Sequence, residues 1–189
     1  MRVLSSILVS VLIAVPAPAL AQDLFDANYR SLASGSVEIG RIGYSDGLMA
    51  KSAALGEAEL ARLAGYLRDD LQAALVQSRW HGTAARATVL NITILDVTPN
   101  RPTISQIEAM DNVHYTTHAA GGADLSAVLV DADGRIVASY DFSWYNPEPG
   151  DGSEAGIWTD TRAAFARFSH QLANSLGEAP MPRQISGSR

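Results

Sequence analysis

The sequence contains no cysteine in its 189 residues. The chain can therefore form no disulfide and no thiolate metal site, and it offers no thiol for a lipid anchor. Positive charge is also scarce, with 14 Lys and Arg residues against 20 Asp and Glu residues and a net charge of −6. A protein that binds nucleic acid or an anionic membrane surface needs a basic stripe to attract its partner. The composition therefore predicts no nucleic-acid partner.

Long apolar runs are absent from the sequence, except for one at the amino terminus. Arg2 is followed by the run Val3–Val15, broken by three serines, and then by Ala19-Leu20-Ala21. This order is typical of a secretory signal peptide, whose cleavage site requires small side chains such as these two alanines. As a helix the run would rise about 20 Å, whereas a bilayer core is about 30 Å thick. We predict cleavage between Ala21 and Gln22, a periplasmic or secreted location, and no membrane insertion after cleavage.

The rest of the chain has the length of one domain, with no internal repeat and no linker that would divide it. We predict a single domain over residues 22–177. Residues 178–189 contain two prolines and few apolar side chains, so they are predicted to form a flexible tail.

Two segments have the hydrophobic spacing of an amphipathic helix. The first extends from Glu57 to about Arg79, and the second extends from about Asp160 to Leu176, with Thr159 or Asp160 as its cap and Gly177 as its stop. Apolar residues recur in both at steps of three and four, so each helix needs a sheet or another helix to cover one side. These residues are Leu60, Leu63, Leu67, Leu71 and Leu75 in the first helix, and Phe165, Phe168, Leu172 and Leu176 in the second.

A shorter helix is predicted directly after the proline-containing segment 99–102. The segment Thr103-Ile104-Ser105-Gln106 has the spacing of a capping box, in which the first and fourth side chains bond each other's backbone N–H groups. We expect the helix to continue to about Met110 and to bury Ile104 and Ile107.

Four segments have the composition or the alternation of β-strands. They are Val37–Ile42, Ala87–Val97, Leu125–Val130 and Arg135–Tyr145. The first is weak and suits a sheet edge or a short segment, because it contains charged residues and a glycine. The last two are joined by Asp131–Gly134, a hairpin turn in which the glycine can adopt positive φ. The predicted fold class is α+β in two layers, with a mixed β-sheet of about four to five strands and two main helices packed on one face.

A possible serine nucleophile lies in Gly43-Tyr44-Ser45-Asp46-Gly47, which matches the Gly-x-Ser-x-Gly elbow of α/β-hydrolases. Asp160 and His170 follow in the chain order of that catalytic triad. However, in that fold several strands precede the elbow, and only about 20 residues lie between the cleavage site and Ser45. His170 also projects away from the apolar stripe of its helix. We therefore predict no catalytic residue and keep a small secreted serine hydrolase as the alternative.

Two patterns suggest metal ligands. His114 and His118 have a spacing used in zinc-binding helices, but the intervening residues 115–117 favour an extended chain, in which the two side chains would be about 13 Å apart. Asp131–Gly134 is similar to the start of a calcium loop, but its glycine is fourth and the twelfth residue is Phe142 instead of Glu. We predict no metal site and no cofactor.

Two aromatic residues are candidates for ligand binding. Tyr145 and Trp158 flank the acidic loop 147–154, and exposed aromatic rings beside carboxylates are typical of a sugar or peptide groove. Alternatively, Trp158 packs under the start of the last helix. The predicted binding residues are Tyr145 and Trp158.

Several short motifs give the chain a resemblance to known families. They are Asn100-Arg101-Pro102-Thr103, Gly121-Gly122-Ala123, Asp133-Gly134, Trp158-Thr159-Asp160 and Phe165. In these motifs the chain resembles uncharacterised bacterial envelope families, including periplasmic domains of unknown function, many of whose members are lipoproteins. The resemblance covers the carboxyl-terminal half of the mature chain and implies a fold, with no catalytic residue to carry over. Unlike the lipoprotein members, this chain has no cysteine that could be acylated.

The sequence thus predicts an exported bacterial envelope protein that acts without catalysis, as a periplasmic accessory or binding domain. Its partner would be an envelope protein or a glycan.

Overall fold

The computed structural model describes residues 24–30, 36–78, 88–146 and 156–178. Within them the chain forms an α+β domain with one mixed sheet. The strands are β1 (Leu24–Tyr29), β2 (Val37–Tyr44), β3 (Thr88–Thr98), β4 (Gly122–Val130) and β5 (Ile136–Tyr145). Their order in the sheet is β1-β5-β4-β3-β2, with β2 and β3 parallel and the other neighbours antiparallel. The predicted fold class is confirmed, and β2 is an edge strand as its sequence indicated.

Two long helices form the second layer, and three short helices connect elements. The helices are α1 (Asp46–Ala50), α2 (Ser52–Leu55), α3 (Glu57–Gln77), α4 (Ile104–Ala109) and α5 (Thr159–Glu178). The long helices α3 and α5 contact each other and the same face of the sheet, α3 over β2 and α5 over β4 and β5. Among the helices of the described ranges, none is long and apolar enough to cross a membrane.

The core lies between the two helices and the sheet. All five leucines of the predicted α3 stripe and all four apolar residues of the predicted α5 stripe are buried. In the sheet, Tyr140 is fully buried, and the ring of Phe142 lies 5.6 Å from that of Phe168 on α5. The periodicity that identified the helices therefore also identified the faces that they bury.

The hairpin between β4 and β5 has the predicted turn. Gly134 has φ of +80°, a conformation that side-chain-bearing residues rarely adopt. Asp131 Oδ1 accepts hydrogen bonds from the backbone N–H groups of Asp133 and Arg135, each at 2.9 Å. The acidic residues of this turn therefore stabilise a hairpin.

Some sequence predictions were wrong in detail. Ile104 and Ile107 were expected to be buried, but α4 buries neither, and Ile104 is 69% exposed. The helix is instead held by its capping box and by the Thr103 hydroxyl, which donates to Ala54 O at 3.0 Å. The residues after Tyr44 form α1, which was not predicted and which the buried side chain of Leu48 anchors. Strand β1 was not predicted. The predicted signal peptide, the acidic loop and residues 179–189 lie outside the described residues.

Candidate functional site

Ser45 lies between β2 and α1, the strand-to-helix position that the nucleophile motif requires. Its backbone is unstrained, with φ of −69° and ψ of 158°, whereas the nucleophile elbow of hydrolases is a strained turn. Its Oγ accepts from Leu48 N at 3.0 Å and donates to Leu95 O at 2.7 Å. This hydroxyl is thus the N-cap of α1.

The other two residues of the hypothetical triad lie far from each other. Asp160 and His170 are both on α5, ten residues apart in the sequence, which corresponds to about 15 Å along the helix axis. Asp160 is buried, whereas His170 is exposed. A hydrogen bond between them is therefore impossible, and the structure does not assemble this triad.

Asp160 instead belongs to a buried polar network at the start of α5. Its carboxylate accepts from the side-chain amides of Asn100 and Asn146 and from the backbone N–H of Gly121. In return, Asn100 Oδ1 accepts from the backbone N–H of Asp160 at 2.8 Å. Three of the motifs named in the sequence analysis therefore meet in this network, which joins the segment after β3 and the residue before β4 to the start of α5.

The two histidines of the suggested zinc pattern flank a turn. The backbone N–H of Thr117 donates to His114 O at 2.9 Å, so the segment between His114 and His118 is not the extended chain that the sequence suggested. Across the described residues, no group of three or more His, Asp or Glu side chains is placed to hold a metal ion.

The two predicted binding residues lie on opposite faces of the sheet. Tyr145 follows Trp144 in β5, so their side chains point to opposite faces. Trp144 contacts Arg167 on the helical face, and Tyr145 therefore lies on the other face, where its hydroxyl donates to Asp124 Oδ2 at 2.9 Å. Trp158 lies in the helical layer, where its ring N–H forms a hydrogen bond with Glu59 of α3. These two aromatic residues do not form one groove.

Trp158 lines a groove on the outer side of the helical layer, which we call the helix groove. Its volume is about 640 Å³, within the range of about 300–1,000 Å³ that small-molecule sites occupy. Three aromatic residues line it together with charged side chains from both long helices. The aromatic and charged lining residues are Glu59, Arg62, Tyr66, Asp70, Tyr115, Trp158 and Arg162.

Hydrogen bonds and stacking fix the side chains of the helix groove. Trp158 is 7% exposed, and its Nε1 donates to Glu59 Oε2 at 2.9 Å. The same carboxylate pairs with Arg62 at 2.9 Å. The guanidinium of Arg162 lies 4.3 Å from the ring centroid of Tyr66, a cation–π distance. The groove thus presents preorganised aromatic and charged groups.

Asp70 is the titratable group that this groove perturbs. Burial raises the pKa of its carboxyl, while the positive charge of Arg162 lowers it in part. Desolvation disfavours the charged form of a carboxyl, and this is the larger effect here.

Sequence reasoning identified Trp158 but missed the residues that α3 contributes to the helix groove. Glu59, Arg62, Tyr66 and Asp70 recur at steps of three and four, so they form a second stripe beside the buried leucines. That spacing is visible in the sequence and could have indicated a functional face.

Comparisons with known proteins give no assignment. No family model matches the chain, and no curated protein matches it. Among solved structures, a variant PelC dodecamer from Paraburkholderia phytofirmans is 11% identical, with a TM-score of 0.42 over 79% of this chain and 98% of that one. A minor lipoprotein from Acinetobacter baumannii is 14% identical, with a TM-score of 0.31 over 75% of this chain and 95% of that one. Both TM-scores are below 0.5, so neither likeness supports an argument about this chain.

Proposed function

We propose that this chain is a non-enzymatic accessory domain of the bacterial envelope that binds a saccharide in the helix groove. The observation that carries the proposal is the combination of aromatic rings and fixed polar groups in one open groove. Saccharides bind between aromatic faces, which cover their C–H groups, and polar side chains, which bond their hydroxyls. The predicted export to the periplasm or the medium would give the domain access to envelope glycans.

The charges of the helix groove favour a ligand without strong net charge. Two carboxylates, Glu59 and Asp70, face two guanidiniums, Arg62 and Arg162. Glu59 and Arg62 already neutralise each other, so a strongly charged ligand would find little uncompensated charge. A neutral oligosaccharide fits this balance.

Calorimetric titration of the purified protein with oligomers of N-acetylglucosamine tests the proposal. Tyr66→Ala removes an aromatic wall and should weaken binding by about tenfold or more, because aromatic residues dominate such contacts. Arg62→Gln, a substitution at an exposed side chain, should also weaken binding while it leaves the fold intact. Tyr145→Phe is the matched control, since it changes a tyrosine on the opposite face and should bind like the wild type.

The absence of binding heat with the wild-type protein would contradict the proposal. So would equal affinities of the wild type and Tyr66→Ala.

The non-enzymatic part of the proposal is tested at Ser45. Its hydroxyl proton is donated to Leu95 O, and no histidine of the described residues contacts its Oγ, so we expect no labelling by a fluorophosphonate probe. The Ser45→Ala variant should lose about 1 kcal/mol of stability, because α1 loses its cap. Labelling of the wild type that disappears in Ser45→Ala would favour the hydrolase alternative.

A further inference from the structure

We propose that the open face of the sheet is a docking site for a basic amphipathic segment of a partner protein. This face lies opposite α3 and α5, and it contains a depression of about 400 Å³ that we call the sheet trough. The trough crosses β1, β5, β4 and β3. Its lining residues are Leu24, Phe25, Asp26, Leu95, Asp124, Leu125, Asp141, Phe142 and Ser143.

Two leucines on the trough are exposed. Leu24 in β1 is 62% exposed, and Leu95 in β3 is 39% exposed. They lie three strand spacings apart, which corresponds to about 14 Å across the sheet. That width admits one α-helix, whose diameter with side chains is about 10–12 Å. The apolar side of such a helix could contact both leucines.

The charge of the sheet trough is of one sign. Asp26 and Asp141 are directly opposite in the β1–β5 register, and like charges in this position are destabilising. Asp124 is diagonal to Asp141 across the β4–β5 pair. No Lys, Arg or His is among the described residues that line the trough. A cationic partner would compensate this charge.

The side chain of Asp124 is held in place by Tyr145. Its Oδ2 accepts the hydroxyl of Tyr145, while its Oδ1 is buried and has no hydrogen-bond partner in the structure.

Two other occupants fit this charge poorly. A second copy docked face to face would place Asp26 and Asp141 against a second acidic trough, and these like charges would repel. An anionic membrane surface would also be repelled. A segment with lysines flanking apolar side chains matches both the carboxylates and the exposed leucines.

Fluorescence anisotropy with three designed 18-residue peptides tests the proposal. The first peptide has leucine and lysine at helical spacing, the second has serine in place of leucine, and the third has glutamate in place of lysine. The wild-type protein should bind the first peptide, bind the second with an affinity lower by about tenfold or more, and not bind the third. Affinity for the first should fall as salt is raised.

Protein variants locate the binding to the sheet trough. The double variant Asp26→Asn with Asp141→Asn should weaken binding of the first peptide by about tenfold. The double variant Asp111→Asn with Asp133→Asn removes the same charge from exposed positions elsewhere and should bind like the wild type. Leu95→Ser should also weaken binding, because it removes an apolar contact without a charge change.

Three results would overturn the proposal. Equal binding by the two charge variants would mean that the attraction is general to an acidic protein. Equal binding of the first two peptides would remove any role for the leucines. Self-association of the protein that Leu95→Ser abolishes, measured by sedimentation, would identify a second copy as the occupant.

Discussion

Asp70 lines the helix groove, and the ionisation of its carboxyl affects the stability of the fold. Burial raises the pKa of its carboxyl in the folded state, whereas in the unfolded chain its pKa is about 3.9. Between these two pKa values the folded state binds more protons than the unfolded state. Its stability therefore falls as the pH rises from about 4 through the folded-state pKa, and it stays lower above that value.

Asp70→Asn should remove this pH dependence. The variant should be more stable than the wild type above the folded-state pKa of Asp70, where the partly buried carboxylate is charged. The difference should disappear below about pH 4, where the carboxyl is neutral in both the folded and the unfolded state. Urea unfolding of the two proteins across this pH range measures the difference. Asp111→Asn, at an exposed position outside the helix groove, is the control and should not change the dependence. A larger difference at low pH than at neutral pH would contradict the assignment.

The start of α5 shows how one buried carboxylate organises several elements. Asp160 joins the segment after β3 to the start of β4, and the Thr161 hydroxyl beside it donates to Thr98 O and Gly122 O at 3.1 Å each. A carboxylate at a helix N-terminus is also favoured by the helix dipole. The network fixes α5, and with it Trp158 in the helix groove.

Asp160→Ala should be among the more destabilising substitutions in the domain. It removes the acceptor of the buried Gly121 N–H and leaves the Asn100 amide with the longer bond to Ala119 O at 3.4 Å. We expect a loss of about 3 kcal/mol in the free energy of unfolding. Asp160→Asn keeps the shape and one acceptor, so its loss should be smaller. Thermal unfolding followed by circular dichroism measures both. Similar stabilities of Asp160→Ala and the wild type would show that the network contributes little.

The sequence predicted those elements in which apolar spacing and burial agree. Helices α3 and α5 and strands β3 and β5 each bury one face, so their periodicity shows in the sequence. Helix α1 is held by the Ser45 cap and by Leu48. It has only five residues, which is too short for a periodic apolar pattern to show in the sequence. The exposure of Ile104 was also unpredictable, because it depends on where the domain places α4 and not on any local pattern.

The candidate sites were less predictable than the fold, because they depend on which faces meet. Trp158 and Tyr145 flank one loop in the sequence, but strand alternation places Tyr145 on the face away from the helices. The contact of Arg162 with Tyr66 requires the packing of α5 against α3, which no local pattern indicates. Likewise, Asp26 and Asp141 become neighbours only through the β1–β5 register.

At the scale of the whole molecule, the two layers separate two surfaces of different chemistry. The helix groove has balanced charge and aromatic side chains, whereas the sheet trough has three aspartates and exposed leucines. The buried core lies between them. If both proposals hold, a ligand in the helix groove and a partner segment on the sheet trough would occupy separate surfaces and could bind at the same time.

The separation of the two surfaces predicts that substitutions on them act independently. Asp141→Asn should raise the free energy of unfolding by roughly 0.2–1 kcal/mol, because it removes the like-charge pair with Asp26. Asp70→Asn should also be stabilising once the pH exceeds the folded-state pKa of Asp70, because it removes a partly desolvated charge. The two carboxylates lie on opposite sides of a two-layer domain, and their interaction is screened over about 8 Å at physiological salt. The double variant should therefore equal the sum of the single variants to within about 0.5 kcal/mol in urea unfolding at pH 7. A larger deviation would mean that the core couples the two faces, and binding at one would then alter affinity at the other.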